Sequence, residues 1–560
     1  MRGILAAAAC FIALAAEAEA QVDWSTKEWD AVVVGAGPAG IIVASRMAAA
    51  GLQTLLLEGG GPSYGVTGGD LDARRPSWLQ NTPLTRVDVP GLYKSIFSTP
   101  SSLTCGSLVN AFGGCTIGGT SAINAGLFFE PPSSDYDLYF PAGWKSVDMK
   151  NATARLYAMQ PSTTLTSMDG KRYLQSGYVA ARKWLVDGLG FKDVDINAKA
   201  DDKTGVFGYP IFDYENGQRG GPVTTYLQGA LKQANFHLQA NTLVVRVERT
   251  GVKATGVTVL VDGAEKLVKL SQTGKVILSA GALRSPSLLM FSGIGDPAEL
   301  TKLQNGGKLA SNMPPEQWIN SSAVGAGLFD NPNTFIELQS SSIESYTHSY
   351  SSPPPGDKDL YLAHRSGPYT FASETSVFWD TITHADGSVA GLQGTIDSAG
   401  FAGFNDDHTI TLNVYGTSGL QSTGRVVLDE KFVPGPDGNV YYSQPRDAAD
   451  IAAFIHKIFA ALPAAGLTPL NIPQGASQAE IEKYITSSSV YTRGQVNHWS
   501  SSCRIGSCVD TEAKVSGMEN LHVIDGSIVS PLTVNPQFGI MVAAERASEL
   551  ILRAMGKEVS

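Results

Sequence analysis

Cysteine, histidine, charge and long apolar runs are all scarce in this chain, and each scarcity excludes something. Five cysteines and eight histidines in 560 residues leave little material for a metal centre. Four of the cysteines form two close pairs, Cys105 with Cys115 and Cys503 with Cys508. Neither pair has the CxxC spacing, and no histidine lies near enough in sequence to complete a zinc set, so no metal site is expected. Beyond the first residues no apolar run reaches the roughly 18 residues that a membrane span needs. Charged residues make up only 17% of the chain, and 52 acidic against 41 basic residues give a net charge of −11. That balance argues against nucleic acid as a partner and suits a soluble protein acting on small molecules.

The exception to the missing apolar run is the start. Arg2, an apolar stretch from Ile4 to Ala16 and the small-x-small Ala18-Glu19-Ala20 read as a cleaved export signal over residues 1–20. A secreted, extracellular protein follows. In that oxidising compartment the local disulfides Cys105–Cys115 and Cys503–Cys508 are the expected ones of the three possible pairings. Asn151-Ala152-Thr153 and Asn320-Ser321-Ser322 fit the glycosylation pattern. The remaining length exceeds what one core supports, so at least two domains are expected.

The rest of the chain is organised around Ala31 to Gly60. Val32, Val33 and Val34 predict a buried parallel strand, which runs into Gly35-Ala36-Gly37-Pro38-Ala39-Gly40, a G-x-G-x-x-G. A helical pattern from Ile41 and a second strand from Thr54 to Leu57 complete a βαβ unit. Gly35 allows the tight turn, Gly37 a close approach to a pyrophosphate, and Gly40 close packing of helix on strand. The helix N-terminus behind Pro38 and Ala39 offers free N–H groups to phosphates. Glu58 follows Gly40 by 18 residues and can accept from a ribose hydroxyl, which disfavours a 2′-phosphate. The ligand is therefore FAD or NAD rather than NADP.

Further along, Gly113 to Gly126 holds many glycines among apolar residues, as where backbone passes close to a flat buried group. Residues 145–200 look mainly helical. Leu243–Val247, Gly256–Leu260 and Lys275–Leu278 read as strands, and Lys275–Leu278 ends at Ala280-Gly281. Residues 330–480 mix short alternating runs with polar turns, which predicts a largely antiparallel sheet with a helical hairpin near 447–464 and 477–485. Leu521–Asp525 predicts a last strand and Phe538–Met555 a closing helix.

Gly281-Ala282-Leu283-Arg284-Ser285-Pro286 through Ser292-Gly293-Ile294-Gly295 resembles the second signature of the glucose–methanol–choline (GMC) oxidoreductases, and Gly118 to Asn124 resembles the first. Val324 to Pro332 and Val523 to Pro531 are similar to further strings of that family, in order. Within it, Phe207–Tyr214, Gly217–Leu227, Gln317–Asn320 and Asn497–Ser501 resemble the flavin domain of fungal cellobiose dehydrogenases, without the cytochrome domain that precedes it there. The resemblance implies an α/β, overall α+β, architecture: a Rossmann-like FAD-binding domain over 28–130, 217–330 and 490–557, and a discontinuous substrate domain over 131–216 and 331–489. The cofactor would be FAD, held non-covalently, since no histidine precedes His237 to carry a covalent flavin. Besides the residues of the βαβ unit, the resemblance places Gly118, Thr120, Asn124, Ala125, Val247, Ala280, Asp525, Gly526, Pro536, Gln537 and Phe538 at the cofactor.

Hydride transfer from an alcohol carbon to flavin N5 needs a base for the hydroxyl proton, and His498 has the chemistry and the family-like setting for it. Asn535 would hold the reacting hydroxyl, beside the cofactor. Phe97, Asn497, Lys94 and Asp397 are the expected substrate residues. The last two depart from the cellobiose dehydrogenase pattern, where a glutamate and an arginine hold the sugar; Val496 likewise replaces a serine. The swap either keeps an ion bridge with reversed sign or marks a different substrate. The expected activity is oxidation of a sugar or related alcohol, with a quinone, a mediator or oxygen as acceptor. A non-sugar alcohol and a flavin-fold hydroxynitrile lyase are the alternatives.

Overall fold

The computed structural model describes residues 23–69, 75–97, 102–309, 313–347 and 350–559. The export signal expected over 1–20 lies outside the described residues. In chain order the elements that position the site are β1 (Glu28–Val34), α1 (Pro38–Ala49), β2 (Thr54–Leu57), α2 (Ser146–Met159), β3 (Val206–Gly208), β4 (Phe236–Gln239), β5 (Leu243–Thr250), β6 (Lys253–Val261), β7 (Ala264–Leu278), α3 (Arg284–Phe291), β8 (Pro332–Gln339), β9 (Glu374–Thr383), β10 (Val389–Asp397), β11 (Thr409–Gly416), α4 (Pro445–Phe459), α5 (Gln478–Thr486), β12 (Leu521–Val523) and α6 (Gln537–Ala554).

Two sheets carry the molecule. The first runs β4-β2-β1-β7-β6-β5, with β12 joining β7. Its centre is parallel and buried on both faces, and Val32, Val33, Leu55, Leu56, Val276 and Ile277 are all fully enclosed there. β7 is longer than the expected strand at Lys275–Leu278. Its first part, Ala264–Lys269, pairs antiparallel with β6, and from Lys269 on it pairs parallel with β1, with a register shift before Lys275. Lys266 and Lys269 sit in that first part, whose exposed residues hide the strand from a search for apolar runs. α6 lies against α1 and α2, and its fully buried Glu545 accepts from Arg46 and Arg155 and from the Tyr226 hydroxyl. Such a carboxylate is tolerable because it is fully paired.

The second sheet is largely antiparallel, with β8-β11-β10-β9-β3 at its centre. Residues two apart share a face. One face carries Ile336, Leu338, Leu412, Val414, Leu392 and Ile396, packed under α4 and α5. α4 starts on Pro445 with no side-chain cap, its Asp447 instead accepting the backbone N–H groups of Gln421 and Ser422, and α5 starts with Ser477 in a capping box with Glu480. The opposite face is polar and looks into the molecule. Cys105–Cys115 and Cys503–Cys508 are both bridged. Asn151, on α2, and Asn320 are exposed. Among the described residues no helix is long and apolar enough to cross a membrane, and no group of three or more His, Cys, Asp or Glu is placed to hold a metal.

Candidate active site

A cavity of about 1620 Å³ runs from the β1–α1 turn to the polar face of the second sheet. That is more than the roughly 300–1,000 Å³ of an ordinary ligand pocket, so it has room for a large cofactor and a substrate together.

At one end the three motif glycines do different work. Gly35 has φ +103°, and a Cβ there would stand 2.4 Å from the Ser279 carbonyl oxygen. A Cβ on Gly40 would stand 1.9 Å from the Gly35 oxygen, so α1 could not close on the turn. At Gly37 the same construction meets nothing nearer than 4.0 Å and opens on the cavity. No side chain caps α1, which leaves its N–H groups to a phosphate. Glu58 is held by the N–H groups of Ala36 and Gly60, both at 2.8 Å, one on each oxygen. A carboxylate has about four acceptor positions, so two stay open to hydroxyls. Pro38, Ala39, Thr120, Asn124, Ala125, Ala280, Asp525, Gly526, Pro536 and Gln537 line the same cavity. Asn124 donates to Gln537, which in turn donates to the buried Asp213 at 2.9 Å, and Arg219 donates to Asn124 at 2.9 Å. Arg284, not expected from sequence as a site residue, lines the cavity near Glu58 with its Nε–H buried and unpartnered. An open backbone cradle, an acid for a ribose and an orphan guanidinium donor together fit a dinucleotide.

Four residues expected at the cofactor do not line the cavity; one is Gly40, which packs against the Gly35 carbonyl instead. Val247 lies past a register shift in β5 and turns into the core, its N–H held by the Ser292 hydroxyl; Val244, Val245 and Arg246 line the cavity instead. Phe538 sits one helical step, about 100°, round from Gln537. It packs on Phe128 and Tyr157, with ring centroids 4.7 and 5.2 Å away. Gly118 spends its N–H on the Ala36 oxygen at 2.7 Å and tethers the glycine-rich segment to the β1–α1 turn; Gly119 takes the lining position.

At the other end stands His498. Its Nδ1 is 2.9 Å from Asn331 Oδ1, and its backbone N–H donates to Asp330 at 2.7 Å. Burial pushes the imidazole down to about 3, so the ring is neutral. Asn331 Nδ2 donates to the Gly416 carbonyl at 2.7 Å, so its Oδ1 must face the ring and the proton sits on Nδ1. Nε2 is left as the acceptor. It lies 3.3 Å from Asn535 Nδ2, whose orientation follows from Oδ1 accepting Gln393 Nε2 at 2.7 Å and the Tyr415 hydroxyl at 3.3 Å. Gln393 accepts in turn from Trp379 Nε1 at 3.1 Å. The chain from Trp379 to Asn331 therefore assigns every donor, and it sets Nε2 as an acceptor and the Asn535 amide as a donor, in contact with each other on the cavity wall.

The protein belongs to the GMC oxidoreductases. Residues 32–333 match the N-terminal region of that family and residues 421–544 its C-terminal region. FAD is thus its cofactor, and the GMC enzyme acts on CH–OH-type donors. It is 26% identical to an oxygen-dependent choline dehydrogenase of Staphylococcus xylosus over 94% of this chain and 95% of that one. It is 24% identical to the choline oxidase of Arthrobacter globiformis over 96% of each. In fold it is similar to a formate oxidase (TM-score 0.75, 17% identity, 95% and 99% of the two chains) and to a fungal aryl-alcohol oxidase (0.68, 18%, 94% and 99%).

The substrate end of the GMC cavity brings Lys94, Phe97, Asp397 and Asn497 together. Lys94 and Asp397 form an ion pair. Phe97, 44% exposed, lies at the mouth against Phe112, and Phe335 faces Phe401 there. Asn497 braces: its Oδ1 accepts from the Phe112 N–H and from Trp499 Nε1. Glu374, Asn331 and Gln393 were not expected from sequence. Asn331 lies within a family-like string, whereas the other two depend on strand register.

Proposed function

We propose that this protein is an exported GMC oxidoreductase that oxidises a sugar or related alcohol to the carbonyl, passing electrons to a quinone, a mediator or oxygen. The observation that carries this reading is the neutral His498 with Nε2 as its acceptor atom, 3.3 Å from the Asn535 amide on the cavity wall. A hydroxyl seated there donates its proton to Nε2 and accepts from the amide N–H. Bound FAD supplies the acceptor for the hydride that leaves the same carbon. Among the described residues His498 is the one histidine lining the cavity, and the cysteines there are bridged, which supports a non-covalently held flavin. The export signal and the two disulfides support an extracellular place. The strings similar to cellobiose dehydrogenases and the retained Phe97 support a sugar. The Lys94–Asp397 pair and the aromatic mouth favour, as a second reading, a non-sugar alcohol.

The test is anaerobic bleaching of the flavin by cello-oligosaccharides, monosaccharides and aromatic alcohols. His498→Ala should retain FAD and lose about 10²–10⁴-fold in the rate of reduction. An unchanged rate would remove His498 from the role of base. Bleaching by substrate would exclude a hydroxynitrile lyase.

A further inference from the structure

The polar face of the second sheet is ordered in rows. Asn333 stands opposite Tyr415 and Tyr415 opposite Gln393; two residues on, Phe335 opposes Asn413 and Asn413 opposes Thr395. Two residues further, Glu337 opposes Thr411 on one side and Glu374 opposes Asp397 on the other. The first row touches Asn535 through Gln393 and Tyr415. The third lies four residues along each strand, roughly 13 Å away at about 3.3 Å per residue. The cavity is continuous between them, with Thr395, Asn413 and Phe335 on its wall.

That third row holds three carboxylates and one cation. Lys94 pairs with Asp397. Glu337 is satisfied by the Thr411 hydroxyl and the Phe401 N–H. Glu374 is not satisfied. It is 7% exposed and lines the cavity, its Oε1 accepts from the Tyr93 hydroxyl at 3.0 Å, and its Oε2 is buried with no partner. Burial and the neighbouring Asp397 charge both hold the Glu374 carboxyl above its usual range. One ammonium thus stands against three acids, and buried charge persists only where it is paired. These residues do not form a metal-holding group. A neutral hydroxyl could fill the open acceptor; a cation would in addition hold Glu374 ionised against the burial and the Asp397 charge that favour its protonated form.

We propose that the alcohol oxidised here carries a protonated amine at a distance of about one disaccharide from the reacting carbon, and that Glu374 receives it with Asp397 and Glu337 close by. This rests on the reading of the His498 end as the reaction centre. The amine pairs with the Glu374 carboxylate at the cavity wall, and the hydroxyl at the far end meets His498 and Asn535.

The experiment uses the holoenzyme and follows anaerobic flavin reduction by four probes: ω-aminooctanol, nonanol, ω-aminopropanol and ω-hydroxyoctanoate. The long amino alcohol should half-saturate at about 10- to 100-fold lower concentration than nonanol, the range of a hydrogen bond to a charged group. The short amine and the carboxylate should show no such gain. Glu374→Gln should abolish most of the advantage, and Lys94→Gln, which removes the competing cation, should enlarge it. Equal or better use of nonanol by the wild type would overturn the amine site while leaving alcohol oxidation intact. If no alcohol bleaches the flavin, the reaction-centre reading fails. The amine site is then judged by octylammonium: a Glu374-dependent shift of the flavin absorption, absent with octanol, supports it, and no shift overturns it.

Discussion

Replacing Asn331 with aspartate tests the claim that His498 is a neutral base. The amide oxygen of Asn331 fixes the proton on Nδ1 without adding charge. A carboxylate in its place would stabilise the imidazolium. Two unit charges ~4 Å apart at an effective dielectric of about 20 attract by about 4 kcal/mol. At 1.36 kcal/mol per pH unit that is about 3 units. It would raise His498 from about 3 to about 6. The variant also loses the donor to the Gly416 oxygen, at a stability cost of about 1–3 kcal/mol that a melting curve would register. Stopped-flow reduction of the flavin, at saturating substrate and across pH 5–8, reads the result. The wild type should show no acid limb from this histidine in that window. Asn331→Asp should recover its rate at the alkaline end and lose it below about pH 6. Asn331→Ala should be slower at every pH without gaining that limb. A stable, flavin-loaded Asn331→Asp enzyme with the wild-type pH profile would refute the assignment.

Gly40→Ala should leave the chain without flavin, because its Cβ would lie 1.9 Å from the Gly35 oxygen; the absorbance ratio of flavin to protein reports it. Glu58→Ala should fold and release FAD on dilution at least tenfold more readily, as filtration and fluorescence of free flavin would show, since it removes a charged acceptor. His522, buried with Nε2 unpartnered, is pushed by burial down to about 3 against about 6.5 when unfolded. A group depressed in this direction withholds its proton in the native state, so stability is full above pH 6.5 and falls as pH drops toward 3. Between pH 7 and 5 the wild type should therefore lose about 2 kcal/mol more than His522→Leu, measured by denaturant unfolding at both pH values.

What was legible in the sequence was local. Val32–Gly40 and Glu58 declare the dinucleotide fold because their meaning is complete within thirty residues. His498 and Asn535 stand in short distinctive strings. The amide chain through Gln393, Tyr415 and Trp379 was not legible, because it exists only once β9, β10 and β11 are in register. The same holds for the acidic row: Glu337, Glu374 and Asp397 are spread over some sixty residues, and nothing in their separate settings marks them as neighbours. Val247 and Phe538 show the converse error. A residue in a correct string still faces the way the strand bulge or the helix turn directs it.

β12 lies in the first sheet beside β7, and α6 carries the Glu545 that Arg46 and Arg155 surround. The nucleotide fold announced by residues 31–60 is therefore finished by residues 521–554. At about 5–20 residues per second, the ribosome delivers those last pieces roughly 25 to 100 seconds after the first strand. Until then α1 has no α6 to cover it and Arg46 has no Glu545. The flavin pocket can close only once that last stretch has been made.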